Sequence, residues 1–412
     1  MLISIAWKNV WRNKLRSSIV VSAITIGLLG GLFYLAFSNG MIQEQIRATI
    51  NHQISNIQIH NPKYLINDEI DYTIESPQNK IDTIKKLSGI KAVCMRIKSP
   101  AMASSATTGT GITLNGINIE DENSVTNLKS LLKQGNYFAT KMRNPAVIGS
   151  KLAEKLKVKI NSKFVITIQD VHGNITYGAF RVVGIYKTEN SKYDLQNVFV
   201  KKNDLQKLIG FPRNKTTEIA ILLTNNDSTE VISKRIMKLF PAEIEQEKIV
   251  VQTWAELMPA LKLMNDMTIQ FTFIFVIIIL IALSFGIINT MMMAIMERTR
   301  ELGMLMSIGM SKLRIFLMIM SETIFLSVTG GTIGLLLSWL AITFANSYGI
   351  DLSNVAQGLN ALGYSSIVHP ILELKYYIMI ALLVIVTAIL SSILPARKAL
   401  KLNPAEAVRT DV

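Results

Sequence analysis

The chain has 412 residues, half of them hydrophobic, with a mean hydropathy of +0.34, a formal net charge of +14 and one cysteine. This hydropathy is high for a soluble protein, and the length accommodates two or three domains. A single cysteine, Cys94, excludes an intrachain disulfide, so any domain outside a membrane folds on packing alone.

Residues 1–16 predict an amphipathic helix. Ile3, Ala6, Trp7, Val10, Trp11 and Leu15 recur at helical spacing, with Lys8, Asn9, Arg12, Asn13 and Arg16 elsewhere on the wheel. Two tryptophans beside a basic face suit a helix lying in the membrane interface. Residues 17–39 then run without a charge. The run is longer than the apolar core of a signal peptide, and Phe33-Tyr34-Leu35-Ala36-Phe37 is a poor cleavage region. It predicts a retained first membrane helix over 17–41.

Residues 42–267 alternate strand and helix signals. Residues 54–59 alternate apolar and polar side chains like a half-buried strand. Helices are expected at 79–88, 150–156, 203–209 and 228–239, and strands at 92–97, 110–119, 163–169, 177–186, 197–200, 218–223 and 248–252. This predicts an α+β domain of two lobes, its β-rich middle inserted between flanking α+β pieces. Residues 254–267 read as one helix running directly into the second membrane run.

Three further runs follow: 268–296, then 315–346 broken only by Glu322, then 376–396. With the first they predict four membrane helices. The fold class is thus membrane α-helical, with a large α+β extracytoplasmic domain inserted between helices 1 and 2. Segment 297–314 is too polar for lipid and too short for a domain. Residues 347–375 read as an outer loop and 397–412 as a tail.

Basic residues orient the chain. Lys8, Arg12, Lys14 and Arg16 precede the first helix. Arg298, Arg300, Lys312 and Arg314 lie between the second and third, and Arg397, Lys398, Lys401 and Arg409 follow the fourth. Lys375 is the one basic residue in 347–375. Both termini and segment 297–314 are therefore expected in the cytoplasm. The positive charge reads as orientation signal and anionic-lipid contact, with no nucleic acid as partner.

Catalytic signatures are missing. The sequence holds no Gly-x-x-x-x-Gly-Lys-[Ser/Thr] loop, Gly-x-Ser-x-Gly elbow or His-Glu-x-x-His pair. The four histidines, at 52, 60, 172 and 369, lack metal-ligand spacing. Neither a catalytic residue nor a cofactor or metal site is expected in this chain. Methionines 291–293, 304, 306, 310, 318 and 320 read as gap-fillers.

Segment 297–314 resembles the cytoplasmic coupling segment of ABC transporter permeases of the FtsX-like, MacB-type family. The match lies in Glu297-Arg298-Thr299-Arg300-Glu301-Leu302-Gly303 and Gly309-Met310-Ser311. The opening Ala6-Trp7-Lys8-Asn9-Val10-Trp11-Arg12-Asn13, the glycines 330, 331 and 334, and Pro395-Ala396-Arg397 with Asn403-Pro404-Ala405-Glu406-Ala407 are similar to the family's other signatures. Residues 52–62 and 251–259 are similar to the lipoprotein-releasing branch. The run departs from its usual His-Ile-Gln-Ile, with Asn56 in the histidine's place.

The resemblance implies a non-catalytic permease subunit driven by mechanotransmission. A separate ATPase dimer, holding ATP and magnesium, would grip the coupling segments of two permeases, identical or paralogous. The ATPase-coupling residues would be Glu297, Arg298, Arg300, Glu301, Leu302, Gly303, Ile308 and Gly309. The cargo would be a lipoprotein leaving the outer leaflet of a bacterial inner membrane, passed to a periplasmic acceptor. A lipid-facing pocket is expected at Phe33, Phe37, Met41, Met264, Phe271 and Phe275. Glu322 would lie roughly 10 Å into the third helix. A bare charge there is costly, so a partner or a protonated state is expected, the partner being Arg298 or Arg314. Export of an amphiphile or peptide, or a non-transporting signalling scaffold, are the competing readings.

Overall fold

The computed structural model describes residues 2–67, 69–138 and 142–400; the signature at 403–407 and the end of the tail at 401–412 lie outside them. The chain divides into two compact units. One holds residues up to Ile42, Asn265–Asp351 and those from Ile367 on; the other holds Gln43–Met264 and Leu352–Ser366.

The first unit is helical. An N-terminal helix, Leu2–Arg12, stops at Asn13, whose side chain accepts from the Arg16 amide at 3.3 Å and so starts the next helix. The expected helix over 1–16 is therefore shorter. The first membrane helix runs Lys14–Thr49 and closes in a π-helical turn, Ile50–Ile54. Glu44 and Arg47 end the apolar run without ending the helix, because Ile46 and Ile50 keep a buried face.

The second membrane helix spans Pro259–Glu297. It is not continuous with the helix before it, Trp254–Leu257, as the sequence had suggested. Met258 sits between them at φ −125° and ψ 66°, because a residue preceding proline is pushed out of the helical region. The third spans Lys312–Tyr348 and the fourth Leu374–Leu400. The fourth continues through Pro395, with Ala396 and Ala399 fully buried beyond it. All four are long and apolar enough to cross a membrane.

Their core holds Leu28 and Leu32 of the first helix, Ile315 and Met318 of the third and Val384 of the fourth. Glycines let the first and third helices touch. A Cβ on Gly330 would lie 3.0 Å from the Ile24 Cβ, and one on Gly334 3.1 Å from the Leu28 Cβ. Thr25 Oγ1 donates to the Gly330 carbonyl at 3.2 Å. The second helix is the exception, with 11% of its apolar window buried.

The second unit is the α+β domain. Ten strands form one sheet: β1 Ile57–His60, β2 Ile90–Ser104, β3 Gly109–Ile117, β4 Leu132–Gly135, β5 Pro145–Gly149, β6 Lys163–Gln169, β7 Ile175–Tyr186, β8 Asn197–Lys201, β9 Glu218–Leu223 and β10 Val250–Thr253. The order is β10-β1-β9-β2-β3-β8-β5-β7-β4, with β6 pairing β2 and β7. Two principal cores share this sheet. One gathers Ile57, Ile59, Ile81, Ile219 and Ile232; the other gathers Leu114, Ile148, Phe164, Phe180 and Val198. The expected lobes are thus halves of a single compact unit, joined by the 15-residue strand β2.

At the middle of β2 lies a buried charge cluster. Arg96 donates to Glu122 at 2.7 and 2.8 Å and to Glu218 at 2.7 Å. Lys98 and His60 also reach Glu218, at 2.8 and 3.1 Å. Burial alone would raise the Glu218 carboxyl, but Lys98 and Arg96 hold it well below its ordinary value. Burial, with Glu122 beside it, pushes the Cys94 thiol well up. Among the described residues no His, Cys, Asp and Glu side chains are grouped to hold a metal ion.

Segment 347–375 is not a simple loop. Its central stretch, Leu352–Ser366, belongs to the domain unit, where Gln45 Nε2 donates to the Leu362 carbonyl at 3.1 Å. A short helix, Ala356–Ala361, forms there.

Candidate coupling site

Between the second and third membrane helices the chain forms one more helix, Thr299–Ser307. Arg298 precedes it, and Gly309 ends the turn after it at φ +95°, a conformation that favours glycine. The amides of Gly309 and Met310 donate back to the carbonyls of Met306 and Leu305. The chain then re-enters a helix at Lys312. The Glu-Arg-Thr-Arg-Glu and Gly-Met-Ser elements thus bracket a two-turn helix.

This helix has two distinct faces. Leu302 and Gly303 are buried, and Leu305 and Met306 pack on the core of the helical unit. Arg300, Met304, Ser307 and Ile308 form the opposite stripe and are exposed, Ile308 by 80%. Leu302 and Gly303 therefore seat the helix, while Arg300, Ile308 and Gly309 face outward.

The charged residues at its start are tied inward. Arg298 Nη1 donates to both oxygens of Glu322, at 3.1 and 3.2 Å, and Arg298 Nε donates to Glu301 at 3.0 Å. Asn9 of the N-terminal helix donates to Glu322 at 2.7 Å. Arg12 of the same helix pairs with Glu301, and Arg16 pairs with Glu297 at 3.1 Å. Three arginines and three glutamates thus form a neutral set. Burial favours the neutral form of Arg298, but Glu322 and Glu301 outweigh it and raise its pKa. Burial likewise works against the Glu301 carboxylate, and hydrogen bonds from Arg12 and Arg298 more than offset it, lowering its pKa.

Glu322 is buried on the third membrane helix, and Arg298 and Asn9 are its hydrogen-bond partners. The part played by Asn9 and Arg12 is not visible in sequence. Both lie on the polar side of an amphipathic wheel, where they read as solvent- or lipid-facing groups.

The six residues expected to line a lipid pocket differ in their surroundings. Phe33 packs partly buried against the helical core, Phe271 is half exposed, and Met264 belongs to the domain unit. Phe275 meets Tyr34, with ring centroids 4.6 Å apart. An apolar groove between the first and second helices lies nearer the helix Thr299–Ser307. It has a volume of ≈ 270 Å³, lined by Ala23, Ile24, Gly27, Ile279, Ala282, Leu283, Gly286 and Thr290 among others. Small residues at four-residue spacing, Ala23 and Gly27 against Ala282 and Gly286, leave that space and are the signal the sequence carried.

Residues 17–239 match the MacB-like periplasmic core domain, and residues 273–404 match the FtsX-like permease C-terminal family. An uncharacterised ABC transporter permease of Methanocaldococcus jannaschii is 26% identical over 68% of this chain and 65% of its own length. The lipoprotein-releasing system transmembrane protein LolC of Neisseria meningitidis is 21% identical over 94% of this chain and 92% of its own. The pyoverdine export ATP-binding/permease protein PvdT of Pseudomonas fluorescens is 22% identical over 99% of this chain but 59% of its own. The chain therefore spans less than two thirds of the length of the first and third of these relatives. With both family models matched along one polypeptide, the chain belongs to the FtsX-like, MacB-type family of ABC transporter permeases.

Proposed function

We propose that this permease is the membrane subunit of a lipoprotein-releasing ABC system in a bacterial inner membrane. Both termini and the coupling helix face the cytoplasm in this reading, and the α+β domain faces the periplasm. A separate ATPase dimer, which binds ATP and magnesium, grips the exposed stripe of Arg300, Met304 and Ile308. The observation that carries this reading is a short helix with an outward apolar-basic stripe, braced inward by buried Leu302 and Gly303. A second permease copy, identical or paralogous, completes the assembly, and a periplasmic acceptor takes the cargo.

Transport by this route needs no polar conduit. The four spans carry few charges, and buried Glu322 is committed to Arg298 and Asn9. Lipoprotein as cargo is supported by end-to-end similarity to LolC. Export of an amphiphile is the second reading, favoured by the equally long match to PvdT, and a non-transporting scaffold is the third.

Two experiments test the proposal. Arg300→Glu with Ile308→Asp changes only outward side chains and is expected to abolish co-purification with the ATPase; unchanged co-purification would remove the coupling assignment. Depletion of the permease is expected to leave lipoproteins in the inner membrane. Normal sorting on depletion would transfer the case to export.

A further inference from the structure

We infer that the N-terminal helix is a working part of the coupling device, and that Asn9, Arg12 and Arg16 are positioning residues that set the seat of the coupling helix. The alternative is a helix that merely floats at the membrane surface, as its amphipathic sequence suggests. Its packing argues otherwise. Ala6 is fully buried and Val10 is 3% exposed, so the middle of the apolar side is turned to protein, while Trp7 and Trp11 beside it stay 46% and 37% exposed. The Trp7 ring stands nearly perpendicular to Phe325 of the third membrane helix, with centroids 5.4 Å apart. Ser17 Oγ donates to the Val10 carbonyl, pinning the end of this helix to the start of the next.

The polar side is committed as well. Asn9 reaches Glu322, Arg12 reaches Glu301, and Arg16 reaches Glu297, on the third membrane helix, the coupling helix and the end of the second membrane helix respectively. One short helix and the third residue of its neighbour, Arg16, therefore touch every element that meets at the candidate site. A helix serving only as a lipid anchor would leave its arginines for phosphates. Here Arg12 and Arg16 balance the acidic residues bracketing Arg298, and removing either leaves a carboxylate with one partner fewer.

The link to ATPase coupling rests on the proposed function; the positioning role does not, and the two are tested apart. In full-length permease reconstituted in phosphatidylethanolamine–phosphatidylglycerol nanodiscs, hydrogen exchange is followed over 299–307. Arg12→Glu is expected to speed exchange there about 3-fold or more, the scale of one ion pair plus a new repulsion. Glu301→Arg should do so more strongly, because it also takes the 3.0 Å bond from Arg298, and Arg12→Glu/Glu301→Arg should exchange more slowly than Glu301→Arg alone, as opposite charges are restored between positions 12 and 301. Strand β2 serves as the folding control. If a reversal misfolds, Arg12→Gln removes the charge alone and is expected to give a smaller acceleration. Unchanged exchange over 299–307 in the folded Arg12 variants, or failure of the swap to rescue, overturns the inference. Co-purification with the ATPase is read on the same variants: loss in the singles and rescue in the swap extends positioning to coupling. If wild type binds no ATPase while the swap still rescues exchange, the proposed function falls and the positioning role stands.

Discussion

Glu322 is the residue whose removal discriminates best between a braced coupling site and incidental contacts. Its side chain is 6% exposed and accepts hydrogen bonds of 2.7, 3.1 and 3.2 Å from Asn9 and Arg298. Breaking a buried ion pair costs about 3–5 kcal/mol when the remaining charge has no partner. Arg298 keeps Glu301 at 3.0 Å and is itself 13% exposed, so Glu322→Leu is expected to cost about 2–3 kcal/mol. Glu322→Gln keeps the shape and one acceptor oxygen, and should cost about 1 kcal/mol, the difference between charged and neutral hydrogen bonds. Replacing both partners removes the stranded charge, so Glu322→Leu/Arg298→Leu should lie within about 1 kcal/mol of wild type. The assay is mixed-micelle unfolding followed by tryptophan fluorescence in a Trp254→Phe background. The remaining tryptophans, 7, 11 and 339, then all report on the helical unit. A coupling energy below about 0.5 kcal/mol in the double-mutant cycle would refute the argument.

Three further outcomes follow from the same geometry. Arg96→Met takes the charged partner from Glu122 in the domain interior, leaves Glu218 with Lys98 and His60, and should cost about 3–5 kcal/mol, read as loss of protease resistance of the domain. Gly334→Val places a branched side chain against Leu28 and should cost about 1–3 kcal/mol in the helical unit, whereas Gly286→Ala, with open space around it, should be close to neutral. Asp194 is buried, and desolvation pushes its carboxyl from 3.8 up to about 6, against hydrogen bonds from Thr188 and Ser150. The folded state then holds the extra proton between those values, so the contribution of Asp194 to stability is greatest below pH 4, falls as pH rises to 6, and is flat above. Relative to Asp194→Asn, wild type should lose about 3 kcal/mol across that window, measured by denaturant midpoints; an equal pH slope in both would refute it.

Much of the architecture was legible because its signals are local. The four membrane runs, and strands such as Lys163–Gln169 and Glu218–Leu223, follow from apolar length and alternation alone. What escaped is what depends on partners far apart in sequence. The helix Ile119–Thr126 carries three acidic residues in its first turn, and its Glu122 is buried because Arg96 lies 26 positions earlier. The extension of the first membrane helix past Glu44 rests on burial in the domain, which hydropathy cannot register. At the coupling site the motif located the helix, but not which side is free. That depends on residues 289 and 313 positions away, Arg12 from Glu301 and Asn9 from Glu322.

The gradient of burial across the six charges bears on how a pull on the coupling helix would travel. Glu322 and Arg298 are shielded, while Arg12 and Glu301 are 55% and 41% exposed and Glu297 is 44% exposed. Exposed pairs are worth about 0–1 kcal/mol and yield readily, whereas the shielded pair resists separation because each charge would be left in a poor solvent. On the proposed function, a force applied at Arg300 and Ile308 is therefore held at the third membrane helix through Arg298 and Glu322, while the pairs to Arg12 and Arg16 yield first. The third helix passes it to the first through Gly330 on Ile24 and Gly334 on Leu28, contacts too close to allow sliding without repacking. The second helix, with little of its surface buried in this chain, is free to follow a different partner. The same argument places the groove between first and second helices at the boundary that opens when the two are driven differently. Widening of that groove on ATPase binding, measured by spin labels at Ala23 and Gly286, is the expected sign; a constant separation would place the moving boundary elsewhere.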